Sequence, residues 1–268
     1  MISITPLINF LNNFVYKLFP GTIEKIKTNI KESFKLCHNL PSGRYIYMWH
    51  PHGLYNASQY LHITSNLTTW PSQNKNIKIT GFHGLLWLPF AAEIFEYFGA
   101  VTTTYNEMKK TLVEEASLSV CPGGMREMLP VEGDETAMRV FLKKRRGIFK
   151  LALETGTPLV PVISFGEHKL YEPIYTPKWI QDFLEPYDMC VPFPTLSSIM
   201  KWFSLISNPL THPVMTVVGD PVLVEKVDNP SNSDIVRLRE RYIESLIAMY
   251  KKEKKSCEYD DIGELKIE

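Results

Sequence analysis

The chain has no excess charge of either sign: 29 lysines and arginines stand against 29 aspartates and glutamates. Binding along a phosphate backbone needs a basic excess, so no nucleic-acid partner is expected. Cysteine is scarce, with Cys37, Cys121, Cys190 and Cys257 widely spread and no Cys-x-x-Cys pair. That argues against a disulfide scaffold or a zinc ribbon and fits a reducing compartment. Long apolar runs are missing too. The longest, Leu85 to Ala92, stops at Glu93, whereas a spanning helix needs about 20 apolar residues, so no transmembrane segment is expected. No basic stretch with a small-residue cleavage site opens the sequence, which excludes an obvious signal peptide. A Gly-x-Ser-x-Gly elbow is absent, which counts against a serine hydrolase of that type. What remains is 44% hydrophobic and 22% charged over 268 residues. Such a composition suits a globular chain able to bury one substantial core.

Apolar side chains at Ile4, Leu7, Ile8, Leu11, Phe14, Val15, Leu18 and Phe19 follow helical spacing. They predict an amphipathic helix over residues 4–19, ended by Pro20-Gly21. A second, lysine-rich helix is expected from Thr22 to Leu36, so residues 1–36 are read as an N-terminal helical region and 37–268 as the main domain. Short apolar runs predict strands at Arg44–Trp49, Ile77–Gly81, Leu118–Cys121, Leu159–Ser164 and Met215–Gly219. Helices are expected between them at Leu88–Phe98, Glu135–Glu154 and Asp234–Lys254. Strands alternating with helices predict an α/β fold, a mainly parallel sheet flanked by helices. The stretch Tyr171–Pro213, rich in proline and aromatics, reads as an insertion over one end of the sheet.

Two motifs stand where strands are expected to end. His50-Pro51-His52-Gly53 follows the first strand. Ligands gather at the carboxyl ends of strands in such sheets. A histidine there can serve as a general base near neutral pH, and the glycine lets a substrate approach the backbone. Two histidines in a turn are also explained by a structural hydrogen-bonding role, and His-x-His can bind metal. No carboxylate or cysteine cluster accompanies the pair, however, so no metal is expected. Cys121-Pro122-Gly123-Gly124-Met125-Arg126-Glu127 follows another strand. The N–H groups of Gly123 and Gly124 can cradle an oxyanion, Arg126 offers a cation, and Glu127 offers a carboxylate able to orient a histidine. A plain strand-to-loop turn reads the same way.

His-Pro-His-Gly followed by Pro-Gly-Gly-x-x-Glu resembles the type 2 diacylglycerol acyltransferase family. Two further blocks fit it: Arg146 through Glu167 and Tyr171, and Val217-Val218-Gly219-Asp220-Pro221-Val222. The resemblance implies a glycerolipid-acyltransferase-like fold and an acyl-CoA-dependent O-acyltransferase, with acyl-CoA and a lipid alcohol as substrates and no cofactor. The expected acceptor is diacylglycerol or monoacylglycerol, with long-chain alcohols, as in wax-ester synthesis, as the alternative. It implies roles at His52 (base), at Glu127 (its acid partner) and at His50, with Gly53, Gly123, Gly124, Arg126, Arg146 and Glu167 around the substrates. This sequence departs from the family in three places. The family's long hydrophobic hairpin is replaced by the 4–19 stretch. Ala92 stands beside Glu93 where the family usually has arginine. Ala57 stands where the wider superfamily has the aspartate partner of its histidine, which is why Glu127 is the candidate acid.

Lys143, Lys144, Arg145 and Arg146 form a basic cluster suited to coenzyme A phosphates, to an anionic membrane surface, or to a solvated helix face. The 4–19 helix, with Lys25, Lys27, Lys31 and Lys35 adding attraction to anionic lipid, predicts a peripheral membrane protein, and the resemblance implies the cytoplasmic face of the endoplasmic reticulum or a lipid droplet. Three competing activities share these residues: an acyl-CoA thioesterase, a Cys121 nucleophile served by a histidine, and a degenerate lipid-binding module.

Overall fold

The computed structural model describes residues 33–38, 40–53, 56–64, 76–81, 99–114, 116–128, 137–167, 173–174, 177–184, 193–194, 214–257 and 262–268, with Thr28 and Tyr259. The expected 4–19 helix, most of the 22–36 helix, Leu88–Phe98 with Ala92 and Glu93, and most of the 171–213 insertion lie outside the described residues.

In chain order the elements are β1 (Phe34–Leu36), β2 (Ile46–His50), α1 (Ala57–Thr64), β3 (Ile77–Gly81), β4 (Val101–Thr102), α2 (Tyr105–Val113) and β5 (Ser117–Val120). After a 3-10 turn at Gly124–Met128 come β6 (Met138–Val140), α3 (Gly147–Thr155), β7 (Leu159–Phe165), β8 (Pro173–Ile174) and α4 (Lys178–Leu184). The last are β9 (Phe193–Pro194), β10 (Met215–Val218), α5 (Asn232–Ser256) and β11 (Leu265–Ile267). The main sheet has seven strands in the order β1-β10-β7-β2-β5-β3-β4. Strands β7, β2, β5, β3 and β4 run parallel, while β10 opposes β7 and β1 follows β10. This is the expected α/β fold with a mainly parallel sheet flanked by helices.

The central strand explains its own sequence. All five residues of β2 are buried, because a parallel strand inside a layered sheet is covered on both faces. Side chains alternate between those faces. Ile46 and Met48 join Leu118, Ile163 and the helices α2, α3 and α5, while Tyr47 and Trp49 join Phe34, Val160, Val162 and Val218. The Trp49 indole N–H donates to Ser164 Oγ (2.7 Å) and Ser58 Oγ (3.2 Å), which satisfies a buried donor and ties α1 to the sheet.

Helix α5 starts at a capping box. Ser231 Oγ accepts from the Asp234 N–H (3.2 Å), and the Asp234 carboxylate accepts from the Ser231 N–H (3.0 Å), an arrangement that stabilises a helix by about 1 kcal/mol. Ile235, Leu238, Tyr242, Leu246 and Met249 repeat at helical spacing along its buried face. Gly219, just past β10, permits that packing: a Cβ there would stand 2.3 Å from Met249 Sδ.

Two expected helices give way to strands. Within 135–154, Met138 and Val140 are buried with Arg139 between them facing outward, so the period is two and not helical. This short strand pairs with β11, and Arg139 grips the Glu268 carboxylate with two hydrogen bonds of 2.9 Å. The helical pattern is real only from Gly147 onward. Thr28 is helical as expected, but Phe34–Leu36 forms β1 against β10. That pairing carries residues read as part of the N-terminal region into the main sheet.

Candidate active site

Neighbouring and parallel, β2 and β5 set Met48 beside Val120, so the segments leaving their carboxyl ends meet on one side of the sheet. Strand β7 ends at the same edge, with His50 of β2 beside Ile163, and Gly166 and Glu167 follow it. Three chain segments far apart in sequence thus converge, and His52 stands where they meet.

The His52 ring donates from Nδ1 to the Gly53 carbonyl (2.7 Å). A carbonyl can only accept, so in the neutral ring the proton sits on Nδ1 and the lone pair on Nε2. Burial holds the His52 pKa below its ordinary 6.5, against the opposing pull of the Gly53 carbonyl and Glu127. The ring therefore presents a neutral base at pH 7.

Glu127 holds the main chain around that ring. Its Oε2 accepts from the His52 backbone N–H (2.9 Å) and its Oε1 from the Phe141 N–H (3.0 Å). The expectation that Glu127 orients the His52 ring is corrected here: the Gly53 carbonyl occupies Nδ1, and the carboxylate acts on the backbone. Gly123 is required by this arrangement, since a Cβ there would lie 1.7 Å from Glu127 Oε1. Gly53 is held at φ +59°, and a Cβ on it would stand 2.8 Å from Glu167 Cγ.

The remaining expected residues divide. Gly124 donates its N–H to the Cys121 carbonyl (3.2 Å), so that group closes a turn and is not available as an oxyanion donor. The Gly123 carbonyl takes a hydrogen bond from Arg145 (2.7 Å). Arg126 lies over the Phe141 ring, 5.7 Å from its centroid. Glu167 is fully buried, accepts from the Ser58 N–H (3.3 Å) and braces the turn from below. Arg146, at the N-cap position of α3, is exposed and lines a cavity of about 370 Å3 that also contains His52, Asn56, Cys121, Met108 and Ile148. His50 is fully buried. Its Nε2 lies 3.0 Å from Tyr242 Oη and its Nδ1 3.7 Å from Glu127 Oε1.

The Cys121 thiol points at the amide oxygens of Asn56 (3.3 Å) and Gln59 (3.5 Å). Burial pushes its pKa well up, and the charges of Glu127 and Glu167 add to that. A thiol so held stays protonated, whereas a nucleophile must be a thiolate. Among the described residues no group of three His, Cys, Asp or Glu side chains is placed to hold a metal ion.

A family model described as diacylglycerol acyltransferase matches residues 6–268. The chain belongs to this family. Diacylglycerol O-acyltransferase 2 of Dictyostelium discoideum is 29% identical, over 85% of this chain and 71% of that protein. Acyl-CoA wax alcohol acyltransferase 2 of the mouse is also 29% identical over the same shares. The crystal structure of a 1-acyl-sn-glycerophosphate acyltransferase from Thermotoga maritima aligns with a TM-score of 0.44 and 13% identity, over 91% of this chain and 96% of that one.

Within this member of the family, three of the four motif blocks converge: the turn after β2, the turn after β5, and the stretch from Arg146 to Glu167. The fourth does not. Val218 pairs with Val162 and Gly219 bonds back to Pro161, so Asp220 runs toward the amino ends of β7 and β2, away from His52. Sequence reasoning missed Tyr242, the Phe141 N–H and the Gly53 carbonyl. Only Tyr242 leaves a signal, as a polar tip on the apolar face of a helix.

Proposed function

We propose that this chain transfers a fatty acyl group from acyl-CoA to the hydroxyl of a lipid acceptor, diacylglycerol or monoacylglycerol, with His52 as the base. The observation that carries it is the His52 Nδ1–Gly53 carbonyl bond, which leaves Nε2 without a partner among the described residues, in a ring that lines the cavity. An acceptor alcohol is too weak an acid to attack a thioester unaided. Nε2 takes the O–H proton as the new C–O bond forms, a contribution of about 10²–10⁴-fold. The tetrahedral intermediate then expels coenzyme A as its C–S bond breaks, and the imidazolium returns the proton to the leaving thiolate. Arg146 and the first N–H groups of α3, which have no partner inside the helix, flank the cavity and suit the phosphates of the acyl donor.

One of the two relatives above is named for diacylglycerol and the other for wax alcohols, and both are equally similar to this chain. A long-chain alcohol is therefore the second reading. Among the described residues no helix is long and apolar enough to cross a membrane. The substrates dissolve in bilayers, so the chain works as a peripheral protein on the cytoplasmic face of the endoplasmic reticulum or a lipid droplet, held partly by residues 4–19. Purified protein incubated with labelled acyl-CoA and vesicles carrying each acceptor in turn tests the reading. Labelled di- or triacylglycerol supports it. Wax ester alone moves the conclusion to the second reading, and free fatty acid without any ester product refutes transfer.

A further inference from the structure

Helix α5 reaches the site through the Tyr242 hydroxyl. Tyr242 is fully buried on its apolar face, and its hydroxyl lies 3.0 Å from His50 Nε2 and 3.5 Å from the Met48 carbonyl. On the far side of the same imidazole, Nδ1 faces Glu127 Oε1 at 3.7 Å. Both of those side chains are wholly buried. The hydroxyl proton has two destinations. If it went to Met48, a neutral His50 would carry its proton on Nε2 and turn a bare Nδ1 lone pair toward a buried carboxylate, two electron-rich atoms facing each other in a medium that screens poorly. If it goes to His50 Nε2, by the shorter of the two contacts, Nδ1 carries a proton and presents an N–H to Glu127.

The geometry points to Tyr242 as a positioning residue for the acyl transfer proposed above: its hydroxyl selects the His50 tautomer whose Nδ1–H steadies Glu127, and Glu127 in turn holds the main chain that carries His52. It touches neither substrate nor the reacting atoms. The chain of contacts runs Tyr242 to His50 to Glu127 to the His52 backbone N–H, and it rests on His52 being the base. It also gives His50 a task that needs no access to substrate.

Tyr242→Phe removes the hydroxyl and keeps the ring, whose edge packs on Phe149 at 5.9 Å between centroids. The expected result is a fall in kcat of about 10-fold, the size of one lost buried hydrogen bond, with KM for acyl-CoA and acceptor within error of the parent and a melting temperature lower by about 2–4 °C, because His50 Nε2 loses its partner. In a His50→Gln background the same change should lower kcat no further. A kcat equal to the parent's overturns the proposal, as does a KM that rises in step with the fall in kcat, or a full 10-fold loss in the His50→Gln background. Nitrogen NMR of the full chain with 15N-histidine reads the tautomer without any turnover, the His50 signals being assigned by their loss in His50→Gln. Protonation at Nδ1 alone in the parent, lost or mixed in Tyr242→Phe, is expected; protonation at Nε2 in the parent overturns the inference. If the parent shows no acyl transfer, the proposed function fails and the tautomer measurement still decides the contact.

Discussion

Two regions of the molecule carry nearly the same side chains and do different things with them. At the carboxyl ends of β2 and β5 stand Glu127, His50, His52 and Cys121. At the β1–β10 edge stand Glu253, His38 with Asp220, and Cys37. Glu253 is buried, like Glu127, but the Lys35 ammonium meets it at 2.7 Å. His38 and Asp220 touch at 2.5 Å with side chains 65% and 59% exposed, so water screens them and the pair contributes little. Burial is the first cause that pushes the Cys37 thiol up to about 12, with Glu253 adding to it. Inventory alone would nominate either cluster. What separates them is how charge is met: Lys35 pairs with the edge glutamate, while backbone N–H groups hold Glu127 and leave a neutral imidazole facing a cavity. A site needs groups held by fixed dipoles beside an open cavity, and the edge has a lysine-paired glutamate and a solvated ion pair instead.

The widest gap between the regions should appear on removing the base. His52→Ala should lower kcat by about 10²–10⁴-fold with an unchanged melting temperature, while His38→Ala should leave turnover as it was. Equal effects in an acyl-transfer assay would break the comparison.

The glycines sharpen it. Gly123→Ala places a methyl group inside contact distance of Glu127 Oε1, so the carboxylate must leave the His52 and Phe141 N–H groups. A loss of at least about 10-fold in kcat is expected, the size of an interrupted charged hydrogen bond. Gly219→Ala meets Met249 Sδ instead. It should lower the melting temperature and leave kcat in the folded fraction alone; a kcat loss as large as that of Gly123→Ala would join the two regions functionally.

A third measurement concerns acid. The neutral ring is the base, and burial lowers the His52 pKa, so the neutral form persists below 6.5. The acid limb of kcat/KM should therefore fall about tenfold per pH unit with its midpoint below 6.5. A midpoint above 6.5 would mean that Glu127 outweighs burial.

The smallest effect is expected at the edge. Lys35→Met leaves Glu253 short of a donor, and because the Lys35 side chain is 38% exposed the cost is set low, at about 1–2 kcal/mol. The hydrogen bond to Glu253 is the first cause that raises the Lys35 pKa above 10.5. Its contribution is thus complete below 10.5 and fades only as pH rises past the folded value. Chemical denaturation at pH 6 and pH 9 should give the same difference between parent and variant, with kcat unchanged; a difference that shrinks between those values would contradict the raised pKa.

Much of this is legible in the amino-acid sequence alone. Strand signals at Ile77–Gly81, Leu159–Ser164 and Met215–Gly219 arise from local composition, as does the long helical pattern after Ser231, and each lies where expected to within a residue or two. Placing His52 and Gly123 at strand ends needed nothing more, since a turn after a buried strand is a local event. The helix Ala57–Thr64, short and polar, left no comparable periodicity.

Tertiary structure decided the rest. Met138–Val140 is too short to announce a strand, and its partner Leu265–Ile267 lies at the other end of the chain. Phe34–Leu36 became a strand because β10 offered an edge, overriding a helical pattern. Glu127 was foreseen as a partner of the His52 ring, yet which of its neighbours a carboxylate meets depends on where Gly53 and Phe141 are brought in the folded chain. Tyr242 and His50, 192 residues apart, meet only because α5 packs on β7, the neighbour of β2. Local spacing dictates which residues can form an element and which side chains can do chemistry; which hydrogen bond each side chain makes is set by contacts that close over the whole length of the chain, and no local pattern encodes them.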